Sequence, residues 1–404
     1  MFQDTPTICV PITNNPNFHS SNTEIIALYL YFQSGDMQLI NFSHPDSIPS
    51  GLELKDIKLH PNSLVLNKKS VIRGGLNCGI DLNSYLQYYV DDIINPSEFY
   101  GKAIEKMQSQ WYNNKNLGKI IPISKWIEFA EGIVLYALPY YKPDKISENC
   151  IAFCDDFMSV FHLIEMNDVP FDNEMRKQNY MWYTATSRPS NAWNNFNFSA
   201  LNKNDGTREK IHSRFDGGKL VQFDYDAFHI KLLGKILDYK FTKHPYEQIK
   251  EELNLHISYD EVKSKVFQNI YGTITSQFIE HPFFQRVQAM IDELYSEYQT
   301  VGYIESYFYR KRFREIGEPS PNKIFNYFLQ SLETEYNVRK IKTILPLLKD
   351  TGAVFCMYLY DAFIFDIPFK SNDLILTIGK ALETDGMSTK CSIGDNFGNM
   401  EPYL

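Results

Sequence analysis

The chain has 404 residues, 44% apolar and 15% aromatic, with 40 basic against 49 acidic side chains and a net charge of −9. That length exceeds one ordinary domain and suggests two or three subdomains with ample core material. No apolar run reaches the length a helix needs to cross a bilayer. The opening Met1-Phe2-Gln3-Asp4 lacks a basic segment followed by an apolar one, so a cytoplasmic, membrane-free protein is expected.

The first elements read as strands. Thr7 to Asn15 forms one. Ile25 to Phe32 and Met37 to Phe42 form a hairpin about a Ser-Gly-Asp turn, with polar, Pro/Asn-rich borders at 11–22 and 44–51. From about residue 96 the pattern turns helical. Pro96-Ser97-Glu98-Phe99 resembles a helix start, Ser124 to Tyr141 is apolar-periodic, and a further helix is expected over Phe153 to Met166. Lys219 to Phe228 reads as a strand ending at acidic residues, followed by a helix over His229 to Leu237. Glu280-His281-Pro282 punctuates a helical region that resumes to about Gln299. Val354 to Ile367 reads as two strands folded about Tyr360-Asp361-Ala362. The chain is therefore expected to be mixed α+β.

Six cysteines are scattered, with Cys150 and Cys154 the only close pair, and they read as reduced core thiols rather than a disulfide framework or zinc site. The acidic net charge argues mildly against a nucleic-acid partner, but basic residues concentrate over Arg188 to Lys219 and again from Arg310 to Arg314, then at Lys323, Arg339, Lys340 and Lys342. Local basic density matters more than net charge for phosphate contact. A solvated surface is the ordinary explanation for either cluster alone.

The chemistry-bearing residues fall in three segments. Asp224 ends the run Leu220-Val221-Gln222-Phe223, and Asp361 sits in an apolar hairpin, where a carboxylate is costly unless solvated or metal-bound. A turn aspartate is the commoner explanation for either alone. Two carboxylates converging from separate strands are what a two-metal phosphoryl transfer requires. Between them, Lys263, Phe267 and Tyr271 are spaced four apart and share one helical face, with Gly272 following. The lysine can bind a triphosphate as a point charge and the aromatics can pack against sugar and base. Taken alone, an amphipathic core helix with a snorkelling lysine is the better explanation of that face.

In order and spacing these segments resemble motifs A, B and C of family A DNA polymerases, phage type. Thr186-Ser187-Arg188-Pro189-Ser190 is similar to the family's Thr-Gly-Arg-Leu-Ser segment, and Asn195-Phe196-Asn197-Phe198 to its Asn-Leu-Gln-Asn stretch. Ala200-Leu201-Asn202-Lys203 and Asp205-Gly206-Thr207-Arg208 add phage-like wording. Asn326-x3-Gln330 has the spacing of the pair before motif C, and Ile164-Glu165-Met166-Asn167-Asp168-Val169 resembles the turn that ends the thumb.

The resemblance covers roughly residues 150–404 and implies a right-hand fold of palm, fingers and thumb with a small strand-containing N-terminal domain. The implied divisions are a reduced, inactive exonuclease-like domain (1–95), a thumb-like helical region (96–175), palm with motif A (176–250), fingers with motif B (251–305) and palm with motif C (306–404). The implied activity is addition of deoxynucleotides to a primer 3′ end without proofreading.

The implied roles follow residue by residue. Asp224, Asp361 and the backbone carbonyl of Tyr225 would hold two Mg²⁺ ions, for which Mn²⁺ can substitute. Lys263 and His244 would neutralise the triphosphate. Phe267, Tyr271, His229 and Tyr225 would line the nucleotide pocket. Arg188, Asn195, Asn197, Arg208, Asn326 and Gln330 would track primer–template DNA along the minor groove, where similarly placed acceptors allow shape to be checked without reading sequence. The expected partners are primer–template DNA, dNTPs and other replication proteins, with the chain a monomer in the host cytoplasm if phage-encoded.

Three positions depart from the family. Tyr259 stands where it has a leading arginine, His229 where it has the glutamate that helps exclude a 2′-hydroxyl, and Ala362 where motif C has its second acid. Asp226 is a candidate spare carboxylate or a helix N-cap. The strand from Thr7 to Asn15 carries none of the exonuclease carboxylates, and Asp46, Asp56 and Asp81 match no metal-binding pattern. A single-subunit RNA polymerase of phage type, and an inactive protein that only binds primer–template, are the alternatives.

Overall fold

In a computed structural model the described residues are 6–14, 23–76, 78–89, 106, 120–191, 196–313, 317–368 and 371–403. The fold is mixed α+β. It divides into two compact units, residues 1–162 with 181–184, and residues 163–180 with 185–404. The helix start expected near Pro96 lies outside the described residues.

The first unit is built on a five-stranded sheet of β1 (Pro6–Thr13), β2 (Ile25–Phe32), β3 (Met37–Asn41), β4 (Leu64–Val65) and β5 (Ile80–Asp81), in the order β3-β2-β1-β4-β5. β1 runs antiparallel to β2 and parallel to β4. It is buried along its whole length, which is why its sequence is almost continuously apolar rather than alternating. Gly35, at φ 92°, supplies the left-handed residue of the expected β2–β3 turn. Cys9, Leu28, Leu30, Val65 and Val71 form the core between the sheet and α1 (Lys68–Arg73).

Among the described residues this unit also holds α2 (Leu82–Tyr89), α3 (Ile123–Ala137) and α4 (Glu148–Glu165), whose last turn passes into the second unit. Asp81, Asp56 and Asp46 each accept a backbone N–H within this unit. Asp81 accepts from Ser84 N–H at 2.9 Å and Oγ at 2.8 Å, Asp56 from Glu53 N–H at 2.9 Å, and Asp46 from Ile123 N–H at 3.3 Å.

The second unit holds short strands β6 (Val169–Phe171), β7 (Glu174–Arg176), the first residue of β8 (Tyr180–Met181), and β9 (Ser190–Asn191). Its main sheet is antiparallel, with β10 (Lys219–Tyr225) at the centre. Helices α5 (Phe228–Ile236), α6 (Pro245–Glu252), α7 (Tyr259–Tyr271) and α8 (Pro282–Val301) follow. Then come β11 (Ile304–Glu305), β12 (Arg312–Phe313) and the long α9 (Pro321–Ile344). The hairpin β13 (Val354–Leu359) and β14 (Ala362–Ile367), helix α10 (Asn372–Leu382), and β15 (Thr389–Gly394) and β16 (Glu401–Pro402) complete it. The strand order is β13-β14-β10-β15-β16.

Alternation along β10 puts Val221, Phe223 and Tyr225 on one face and Leu220, Gln222 and Asp224 on the other. The first face is aromatic. Phe223 lies 5.9 Å from Phe365, Tyr225 lies 5.6 Å from Phe363, and Tyr225 stacks on Phe228 at 4.6 Å. Tyr336 of α9 closes it at 6.0 Å from Tyr225. The aromatic content of the sequence is thus used to bind the sheet to its helices.

All six cysteines are free thiols, and all but Cys78 are buried. Among the described residues no helix is long and apolar enough to cross a membrane.

Candidate active site

The two acids singled out in the sequence come together at one end of the central strand. Asp224 on β10 pairs with Ala362 on β14 and with Lys390 on β15. Asp361 immediately precedes Ala362, in the two-residue turn that closes Leu359 against Ala362. Tyr360, at φ 65°, holds the left-handed conformation that such a turn demands. The N–H of Tyr225 donates to the carbonyl of Asp361 at 3.0 Å. Asp224 is half-buried.

Burial, and then the charge of Asp361, push the Asp224 carboxyl up to about 6. Lys263, Lys203 and Lys390 pull in the other direction. Asp361 is also raised, by lost hydration first and by Glu333 second, with His229 and Arg188 opposing. An acid raised by burial and by the charge of a second acid has affinity to spare for a cation.

The helix face expected to oppose them is formed by α7. Ser258 caps it and Glu261 returns to the Ser258 N–H at 2.8 Å, a capping box legible as Ser-x-x-Glu. Phe267 and Tyr271 lie parallel with ring centroids 6.0 Å apart. His229 of α5 meets both edge-on, at 6.4 Å from Phe267 and 5.6 Å from Tyr271, whose hydroxyl lies 3.2 Å from either imidazole nitrogen. Lys263 is exposed one turn before Phe267 and has no ion-pair partner among the described residues. Asn326 Nδ2 donates to the carbonyl of Tyr271 at 3.0 Å, holding the end of α7 to α9.

No family model matches this chain, and no curated protein matches it. The geometry therefore carries the functional argument by itself.

The other residues named from sequence divide into those the fold gathers and those it does not. Arg188 lies with its guanidinium 3.9 Å over the Tyr360 ring and 3.5 Å from the Glu333 carboxylate. Gln330 meets Thr186 Oγ1 at 3.4 Å. His244 is held by Asp226 at 2.6 Å. Arg208 donates to the carbonyl of Leu201 at 3.0 Å and covers Phe397, and Asn197 caps Ser199 N–H at 3.0 Å, so the observed bonds of both are to their own surroundings. Tyr225 buries its side chain in the aromatic face, leaving only its backbone for the site. Asn195 and Arg314 lie outside the described residues.

One expectation needs correction. Asp226 is not a helix cap, since the N-cap of α5 is Ala227 at φ 51°. Burial alone would raise the Asp226 carboxyl, but bonds from Lys390 (2.7 Å) and His244 and the charge of Lys231 bring it down to about 2. The second basic cluster is also partly neutralised, with Arg310 and Arg312 pairing with Glu305 at 2.8 and 3.3 Å.

Glu333 was missed. It is fully buried on α9, and its carboxylate accepts from His229 Nε2 at 2.8 Å. A signal was present, because Asn326, Gln330, Glu333 and Asn337 continue one helical stripe at steps of four, three and four.

Among the described residues no cluster of three or more His, Cys, Asp or Glu could hold a metal. Asp224 and Asp361 nonetheless fit Mg²⁺, a hard ion commonly held by one or two carboxylates with substrate phosphates and water completing its shell.

Proposed function

We propose that this chain is a template-directed DNA polymerase, related in design to family A, with palm, fingers and thumb arranged about the site above. The observation that carries the reading is the convergence of Asp224 and Asp361 at one sheet end, beside a helix face bearing Lys263, Phe267 and Tyr271. The electrostatic coupling of Asp224 to both Asp361 and Lys263 joins the two halves.

Asp224, Asp361 and the carbonyl of Tyr225 would hold Mg²⁺, which supplies charge neutralisation for the phosphates and acidifies the attacking hydroxyl. The 3′-hydroxyl of the primer gives up its proton to solvent, and its oxygen forms a bond to the α-phosphorus of the nucleotide. The bond from that phosphorus to the β-bridging oxygen breaks, and pyrophosphate leaves. Lys263 offsets charge on the triphosphate. Phe267 and Tyr271 present flat faces to the nucleotide, and His229 walls the sugar. Arg188, against the turn that carries Asp361, would meet the primer–template minor groove.

The test is extension of a labelled primer–template with Mg²⁺ and either dNTPs or rNTPs, beside Asp361→Ala. Template-dependent dNTP extension that disappears in the variant supports the reading. Use of rNTPs alone would assign an RNA polymerase, and binding without extension would leave an accessory protein.

A further inference from the structure

The polar stripe on α9 meets the surroundings of the site at each of its four positions. Asn326 holds the end of α7 through the Tyr271 carbonyl, and Gln330 meets Thr186, two residues before Arg188. Glu333 holds His229 and Arg188. Asn337 donates to the Tyr360 carbonyl at 2.7 Å, fixing the turn that carries Asp361. Glu333 and Asn337 are wholly buried on a helix whose neighbouring positions, Leu329, Leu332 and Val338, are apolar.

A buried carboxylate is an expensive way to stabilise a helix. Replacing buried ion pairs by apolar residues of similar volume is commonly neutral or stabilising. Glu333 is better explained by what it orients. An imidazole can turn about its two side-chain bonds. With Nε2 held at 2.8 Å by Glu333, the ring of His229 is fixed edge-on to Tyr271 and Phe267, its Nδ1 at 3.2 Å from the Tyr271 hydroxyl. The same carboxylate draws Arg188, stacked on Tyr360, from the opposite side.

We propose that Glu333 is a positioning residue for sugar selection, setting where the His229 wall stands relative to Tyr271 and tying that wall to the Asp361 turn. This inference rests on the polymerase reading. A site discriminates by placing groups to within about half an ångström, so a wall free to swing would lose selectivity before it lost turnover.

The experiment compares kcat/KM for a dNTP and its matching rNTP in the full chain. In Glu333→Ala the preference for dNTP should fall about tenfold, within the range that one missing pocket contact is worth. Glu333→Gln, whose amide oxygen still accepts from the imidazole, should restore most of it. Glu333→Asp keeps the charge but withdraws it by one methylene. It should lose about threefold, and it serves where Glu333→Ala does not fold.

In a His229→Ala background none of the Glu333 substitutions should change the ratio further. Equal loss of turnover with both sugars, or a ratio that shifts without His229, overturns the inference while leaving the polymerase reading intact. A wild-type chain that extends with neither nucleotide overturns both.

Discussion

The N–H of Tyr225 donates to the carbonyl of Asp361 at 3.0 Å, so the residue after one acid is pinned to the other acid by main-chain atoms alone. The approach of Asp224 to Asp361 is therefore set by strand register and turn type. Either side chain can be changed without releasing the strands.

Asp224→Asn is accordingly expected to fold and to be inactive. It removes the carboxylate that burial and Asp361 raise to about 6, so it should also relieve the metal-free protein of some repulsion. At neutral pH we expect a gain of about 1 kcal/mol, or roughly 2 °C in melting temperature for a chain of this size. A melting temperature unchanged or lowered in the metal-free variant would refute the coupling.

The pH dependence has a definite sign. Asp224 rises from 3.8 when free to about 6 when folded, so the native state binds more protons between those values. The stability it contributes is fully present below about pH 4 and is lost as pH rises through about 6. Asp226, held near 2, acts oppositely, its contribution being lost only as pH falls through about 2. The melting difference between Asp224→Asn and wild type should thus widen from pH 4 to 6. Mg²⁺ should narrow it over the same window and release a proton, measurable by calorimetry in buffers of different ionisation enthalpy. A difference flat with pH would show that Asp224 titrates normally.

Local pattern made much of this fold legible. The β2–β3 hairpin, the strand holding Asp224 and the hairpin about Tyr360-Asp361 were readable because alternation and turn chemistry are written within a few residues. Lys263, Phe267 and Tyr271 were readable because one helix carries all three. Glu333 was legible only as part of the polar stripe on α9, because its partners His229 and Arg188 lie more than a hundred residues away and a buried acid looks like a solvated one in sequence. Asp226 was misjudged for a related reason. Strand β10 stops at Tyr225, and the two lysines and the histidine that hold Asp226 come from α5, β15 and the start of α6.

Asp366 offers a test of the sheet itself. It is wholly buried on β14 and accepts from Ser213 Oγ at 2.6 Å, from Arg214 N–H at 3.0 Å and from Arg214 Nε at 2.8 Å. Arg214 also donates to the carbonyl of Asp168 at 2.8 Å. Removing one partner leaves the other charge uncompensated, so Asp366→Ala should cost about 3–5 kcal/mol in denaturant unfolding. An effect below about 1 kcal/mol would mean that water replaces the carboxylate freely.

Lys263 should behave in the opposite way. It is exposed, with no ion-pair partner among the described residues, so Lys263→Ala should leave stability within about 0.5 kcal/mol of wild type. Its charge nevertheless lowers the Asp224 carboxyl, and the proposed mechanism sets it against the triphosphate. The substitution should therefore raise KM for the nucleotide about tenfold, leave KM for primer–template unchanged, and move the Asp224 titration upward. Arginine at this position should recover most of the nucleotide affinity, since it keeps the charge. A variant with wild-type KM for the nucleotide but weakened primer–template binding would move Lys263 from the triphosphate to the nucleic-acid backbone.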